Sequence, residues 1–283
     1  MSARKLGFSL VIALIGLYVS GCPHGEVKQV KQADEYAKPV LEYRGIKFLD
    51  QSFSHMSVAW KFELVSRDKR PAKISGCNYR LKMADLQAIE GKQNPGSELA
   101  PEQKLMIATK VALPWPESKS EVMTFLQRGQ VSYEFFIECK LTGNGEEFPV
   151  SASDSGSIPL PKLPHLNVTG ANAEKFSGRE IRLNFEMSLL NENPFSIKIS
   201  KIVYKISAEG KPMSEGELPV EEVVDPSNEA SYDISTGTLS GDEQREIVQM
   251  IKLPQINYHL EGKAIISGFE IPIDDKGTVS FPH

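Results

Sequence analysis

Apolar and polar positions alternate with a period of two along most of this chain. Val58, Trp60, Phe62 and Leu64 interleave with Ala59, Lys61 and Glu63, and Ile181, Leu183, Phe185, Met187 and Leu189 interleave with Arg182, Asn184, Glu186 and Ser188. Ile202, Tyr204 and Ile206 repeat the pattern, as do Tyr258, Leu260 and Ala264. Successive side chains on a strand point to opposite faces, so strict alternation puts one face on a core and leaves the other to water. The pattern predicts half-buried antiparallel strands. Turn-forming clusters separate the runs at residues 191–194 (NENP), 209–212 (EGKP), 225–228 (DPSN) and 274–277 (DDKG). Helical signal is sparse: residues 242–251 (DEQREIVQMI) suit one short helix, with Ser240 as candidate cap.

The pattern occurs twice. Shifting the chain by 125 residues lays Leu41 over Leu166, Gly45 over Gly170, Leu64 over Leu189, Tyr79 over Tyr204 and Glu90-Gly91 over Glu215-Gly216, without a gap. Tyr133 over Tyr258 and Gly143 over Gly268 keep the same offset. Near the ends the offset falls to 121, where Gly156-Ser157-Ile158 meets Gly277-Thr278-Val279. A period this long indicates a duplicated domain, not a solenoid of short units. By its repeat partner, residues 102–110 form a strand. The boundary falls at residues 161–164 (PKLP), where two prolines stiffen the backbone and remove ladder donors. The expectation is all-β: two tandem immunoglobulin/fibronectin-III-like antiparallel β-sandwiches, residues 40–161 and 165–283, each of about seven strands.

The amino terminus reads differently. Arg4 and Lys5 precede an apolar run at residues 6–19, shorter than the roughly 20 residues a spanning helix needs and suited to a signal peptide. It ends in Val19-Ser20-Gly21-Cys22, which resembles a bacterial lipobox. Residues 1–21 are therefore expected to be a lipoprotein signal peptide, and Cys22 the lipidated first residue of the mature chain. Several acyl chains anchor far more firmly than one. Residues 22–39, polar and of mixed charge, read as a lipidated flexible tether. Pro23 stands where aspartate would favour inner-membrane retention, so an outer-membrane lipoprotein facing the periplasm is expected in a Gram-negative host.

With 283 residues, 40% of them hydrophobic, and a net charge of −5, the chain suits a folded protein and offers no electrostatic footing for nucleic acid. Cys77 and Cys139 lie on the inward phase of their strands, and their repeat counterparts are Ile202 and Ala264. In an oxidising compartment they suggest a disulfide across the core; the alternative is two buried thiols acting as small hydrophobes. No catalytic or metal-binding spacing links His24, His55, His165, His259 and His283, so no catalytic residue, metal or cofactor is expected. Asp274-Asp275 reads as a hairpin turn. Trp115, between Pro114 and Pro116, reads as a packed loop aromatic or a contact surface.

Residues 189–206 (LLNENPFSIKISKIVYKI) carry a family resemblance. An apolar strand, Asn191, Asn193-Pro194, alternating aliphatics, Tyr204, a polar turn and Gly216 together resemble the water-stress-and-hypersensitive-response (WHy) domain of group-two late-embryogenesis-abundant proteins. The first copy departs from the pattern, with Ser66 and Asp68-Lys69 in place of Asn191 and Asn193-Pro194 and with Pro71 displaced. An Asx-type turn at Asp68 would preserve the fold. The Asn-Pro element reads either as a structural bend or as a ligand or partner contact. The resemblance implies a non-enzymatic envelope protein that protects proteins or membranes during desiccation or osmotic stress. Its partners would be the membrane, through the lipid anchor, and protein clients. The alternative is an assembly or adhesion module that binds an envelope partner through its sheet edges, and a small apolar ligand between the sheets is a third reading.

Overall fold

Alternating runs become strands because their apolar faces can be buried only against a second sheet. The computed structural model describes residues 35–84, 86–96, 98–177, 180–236, 241–250 and 252–280. The expected signal peptide, Cys22, the candidate cap Ser240 and Ile251 lie outside these. In the first half the elements are β1 (Val40–Gln51), β2 (Met56–Val65), β3 (Ala72–Met83), β4 (Ile89–Gln93), β5 (Glu98–Leu99), β6 (Lys104–Ala112), α1 (Lys119–Leu126), β7 (Gln130–Gly143) and β8 (Glu146–Pro159). Sheet β1-β2-β6 faces sheet β4-β3-β7-β8, with β5 added beside β3.

The second half repeats the plan with β9 (Leu166–Ser177), β10 (Glu180–Leu190), β11 (Ile197–Ala208), β12 (Lys211–Val224), β13 (Glu229–Ser235), α2 (Gly241–Met250), β14 (Ile256–Ile266) and β15 (Phe269–Val279). Here β13-β10-β9 faces β12-β11-β14-β15. Both ends of β11 lie 125 residues beyond those of β3. The fold is all-β, of immunoglobulin/fibronectin-III-like sandwiches. Among the described strands no pairing crosses residues 160–165, yet both sets of sheets belong to one compact unit, Tyr36–His283.

Each sandwich has its own core. In the first, Trp60 stacks on Phe135 with centroids 4.5 Å apart, and Phe62 and Tyr79 flank the same ring. In the second, Leu183, Phe185, Met187 and Leu189 of β10 face Ile199, Ile202, Ile206 and Leu260, all fully buried. Burying one such side chain contributes about 1.5–3 kcal/mol, which makes these faces the main source of stability.

Three local features differ from the sequence reading. The turn expected at residues 274–277 lies inside β15; the chain reverses instead at Ser267-Gly268, both with positive φ. Gly277 serves packing, not turning: a Cβ there would sit 2.7 Å from the Tyr258 hydroxyl. Secondly, α1 went unpredicted, although Ser118 and Glu121 form a capping box and Val122, Phe125 and Leu126 give it a buried face. Thirdly, Cys77 and Cys139 form a disulfide within one sheet, not across the core. They are directly opposed on neighbouring strands β3 and β7, with Cα atoms 4.0 Å apart. Two inward residues on adjacent strands lie side by side, whereas only residues of different sheets face each other.

Candidate functional site

The motif that carries the family resemblance forms the β10–β11 turn, and its polar groups are turned inward. Asn191 is fully buried. Its Nδ2 donates to the carbonyls of Phe195 (2.8 Å), Val224 (3.0 Å) and Asp225 (3.2 Å). Its Oδ1 accepts the backbone N–H of Asn193 at 3.1 Å, closing an Asx turn. Asn193, also buried, holds the segment that enters the sandwich: its Oδ1 accepts the Lys162 N–H at 2.8 Å, and its Nδ2 donates to the Lys162 carbonyl at 2.9 Å. Pro194 follows with a fixed φ and no donor, where continued strand pairing would break this clasp.

The first sandwich solves the same problem with different chemistry. Asp68, the counterpart of Asn193, accepts the backbone N–H of Ala37 at 2.8 Å, and Ala37 lies 125 residues before Lys162. A carboxylate cannot donate to a carbonyl as an amide does, so Arg70 supplies the balancing donors, with its Nε 2.7 Å from Oδ1 and a guanidinium nitrogen 2.7 Å from Oδ2. The Arg70 side chain, aided by the backbone N–H groups of Ala37 and Arg70, holds the Asp68 carboxyl well below the usual carboxylate range. Ser66 replaces Asn191 with one hydroxyl bond to the Asp68 carbonyl, at 3.2 Å.

Tyr204 and Gly216 are cross-strand partners on β11 and β12. The ring covers the glycine, where a Cβ would come within 3.1 Å of the hydroxyl. Tyr79 and Gly91 repeat the arrangement on β3 and β4, with less room: a Cβ on Gly91 would stand 2.3 Å from the ring. Asp275 likewise has a structural task. It accepts the Tyr258 hydroxyl at 2.8 Å and the Val168 N–H at 3.0 Å, bridging β15 to β9 of the other sheet. Burial, reinforced by the Asp275 carboxylate, pushes the Tyr258 hydroxyl up to about 12.

The same turn also joins the two sandwiches. Phe53, on the β1–β2 loop and only 2% exposed, meets Phe195 and Phe269 edge-on at 5.3 and 6.1 Å. Trp115 donates its indole N–H to the Phe53 carbonyl at 3.0 Å and packs on Phe125, so it acts as a loop brace. Lys119 of α1 donates to the Gly268 carbonyl at 2.7 Å. Of this joint, the sequence pointed to Asn191, Asn193 and Pro194, to Phe195 within the same motif, and to Trp115. Phe53 was missed; a phenylalanine in a polar loop, Ser52-Phe53-Ser54, was the available signal.

Among the described residues, no group of three His, Cys, Asp or Glu side chains could hold a metal ion. His259 lies on the outer face of β14 beside Asp274 (2.7 Å) and Glu261 (3.5 Å), and His55 pairs with Asp50 at 3.0 Å. No described helix is long and apolar enough to cross a membrane. The free edge of β12 carries Pro212 and Pro219 among glutamates, which interrupts a row of ladder donors.

Residues 186–277 match the family model described as Late embryogenesis abundant protein. That span runs from β10 into β15 and contains Asn191, Asn193, Pro194, Tyr204 and Gly216. No curated protein matches the chain. Among solved structures, red sea bream transglutaminase is similar over 86% of this chain and 31% of its own, at 12% identity and a TM-score of 0.30. A protein from Archaeoglobus fulgidus is similar over 43% of this chain and all of its own, at 14% identity and a TM-score of 0.32. The FN1–FN3 domains of chicken CNTN1 are similar over 86% of this chain and 67% of their own, at 15% identity and a TM-score of 0.21. The chain thus spans about a third of the length of the transglutaminase.

Proposed function

We propose that this protein is a non-enzymatic, membrane-anchored component of the cell envelope that protects proteins or membranes during desiccation or osmotic stress. The observation that carries this reading is the late-embryogenesis-abundant match over the second sandwich. The first sandwich is a second WHy-like domain in which Asp68 and Arg70 replace the motif. Cys22 carries the lipid anchor, and residues 23–39 hold the sandwiches near an outer membrane, on its periplasmic side in a Gram-negative host. The partners are that membrane and the proteins beside it.

The geometry suits such a task because the buried polar side chains of the motif turn do not depend on water. Every polar atom of the Asn191 and Asn193 side chains has a partner within the protein. A turn satisfied in this way keeps its bonds when solvent is withdrawn. On the surface, Lys201–Glu217 (3.0 Å), Lys198–Glu221 (2.7 Å) and Lys263–Glu270 (3.1 Å) contribute little in bulk water. Their attraction grows as the surrounding dielectric falls, so drying tightens this shell.

The test is to dry and rehydrate a labile enzyme with and without residues 23–283. Protection exceeding that of an equal mass of serum albumin is expected, and protection no better than albumin refutes the reading. The anchor is tested separately: radiolabelled palmitate should enter the parent and not Cys22→Ser. Affinity purification from gently extracted envelopes should recover no dedicated partner, and a stoichiometric one would replace protection with assembly.

A further inference from the structure

The outer face of sheet β4-β3-β7-β8 differs in kind from its counterpart in the second sandwich. On β8 the outward positions 151, 153, 155 and 157 are all serine. Beside them on β7 stand Glu134, Phe136 and Glu138, with Phe136 44% exposed. The strand register places these groups in rows across the sheet. Phe136 lies opposite Ser153 on one side and Arg80 on the other, and Arg80 lies opposite Glu90. Small side chains on β8 and long ones on β3 and β4 leave an open trough of about 1320 Å³.

In the second sandwich the matching positions are Glu261 for Phe136 and Pro272, Asp274, Lys276 and Thr278 for the four serines. A hydrogen bond and an ion pair link that face, with His259 2.7 Å from Asp274 and Lys276 3.4 Å from Asp274. At these positions one copy of the fold therefore carries charged and hydrogen-bonding side chains. The other carries hydroxyls and an exposed ring, and among the described residues the pairing on its face is confined to Arg80–Glu90 and Lys140–Glu147 beside them.

We propose that this trough binds an uncharged glycan chain. An exposed aromatic face matches the flat C–H face of a pyranose ring in size and polarity. The side chains of Arg80, which also bonds Glu90, and of Glu134 and Glu138 line the trough with donors and acceptors for sugar hydroxyls, and ordered waters can bridge the serines. Arg80, Lys82 and Lys92 stand against Glu90, Glu134, Glu138 and Asp154, so the lining has no cationic excess, which favours an uncharged chain over a polyanion. An apolar protein partner would require a contiguous apolar patch, and the outward positions of this face offer only Phe136. A trough open to solvent admits an extended chain. The inference does not depend on the anchor or on the protective role.

The test titrates residues 36–283, the compact unit containing all the sheets, with cellohexaose, chitohexaose and maltohexaose by calorimetry and amide NMR. At least one should bind, with Kd of about 10 µM to 1 mM, and should shift amides of β7 and β8. Phe136→Ala should weaken binding about tenfold or more at unchanged circular dichroism. Phe136→Glu combined with Ser153→Asp, which copies the second sandwich, should abolish it; Glu261→Ala should leave it unchanged. Absence of saturable binding by all three sugars, or binding indifferent to both Phe136 variants, overturns the proposal. A Phe136-dependent dimer in sedimentation without sugar would also overturn it and assign the face to a second copy of the chain.

Discussion

Replacing Asn191 by alanine tests whether the motif turn is a structural keystone of the second sandwich. The side chain is fully buried, donates to three carbonyls and accepts from Asn193. Alanine removes all of these bonds and supplies no donor or acceptor in their place. The Phe195 and Asp225 carbonyls are only partly buried and can rehydrate, whereas the Val224 carbonyl and the Asn193 N–H sit in the buried part of the network. Two buried groups left unpaired cost about 1.5 kcal/mol each, so the expected loss is about 3 kcal/mol. The counterpart in the first sandwich is Ser66, with one hydroxyl bond, and Ser66→Ala should cost about 1 kcal/mol. Urea unfolding can resolve the two sites. Trp60 and Trp115 are the only tryptophans and both lie in the first sandwich, so fluorescence follows that half, while far-ultraviolet circular dichroism follows both. Asn191→Ala should move the dichroism transition to lower urea, with fluorescence following only as far as the Phe53–Phe195 contact couples the halves. A loss below about 0.5 kcal/mol, or one no larger than that of Ser66→Ala, would refute the account of the turn.

Other consequences follow from the same geometry. Reducing Cys77–Cys139, which closes a loop of sequence separation 62, should cost about 4 kcal/mol in the chain-entropy model; two free thiols in the denatured, unreduced protein would refute the bridge. The depressed Asp68 ionisation makes its contribution fully present above the unfolded carboxylate pKa of about 3.9. It is lost as pH falls from there toward the lower folded value, so Asp68→Asn should flatten the acid limb of a stability–pH curve and an unchanged limb would contradict this. Tyr258 behaves in the opposite sense. Its raised folded value means stability complete below pH 10 and lost as pH rises through about 12, and Tyr258→Phe should reduce that alkaline loss in urea midpoints.

Much of this fold was legible because period-two alternation is a local property. Trp60 and Phe62, or Phe185 and Met187, declare their buried face without reference to any other strand. The repeat added reach, since it assigned residues 102–110 to a strand where their own pattern was ambiguous, and β6 occupies Lys104–Ala112. Composition misled at Asp274-Asp275-Lys276-Gly277: these residue types favour turns, but Gly277 is there to lie beneath Tyr258, a cross-strand fact invisible along the chain. The α1 helix was overlooked because its eight residues are too few to show a period, although the Ser118–Glu121 capping box was readable.

By itself, the sequence determined which residues face inward, that the chain consists of two related halves, and that Cys77, Cys139, Asn191 and Asn193 are special. Alternation specifies a face, but it does not specify a neighbour. Which strands lie side by side is decided by long-range pairing, because a strand's apolar face is satisfied by any complementary sheet. Tertiary structure therefore decided that Cys77 meets Cys139 within one sheet and that Asn193 clasps Lys162. It also decided that Phe53 reaches the second sandwich and that four serines and Phe136 share one open face. Each joins residues far apart in sequence, brought together only when the sheets close over their cores.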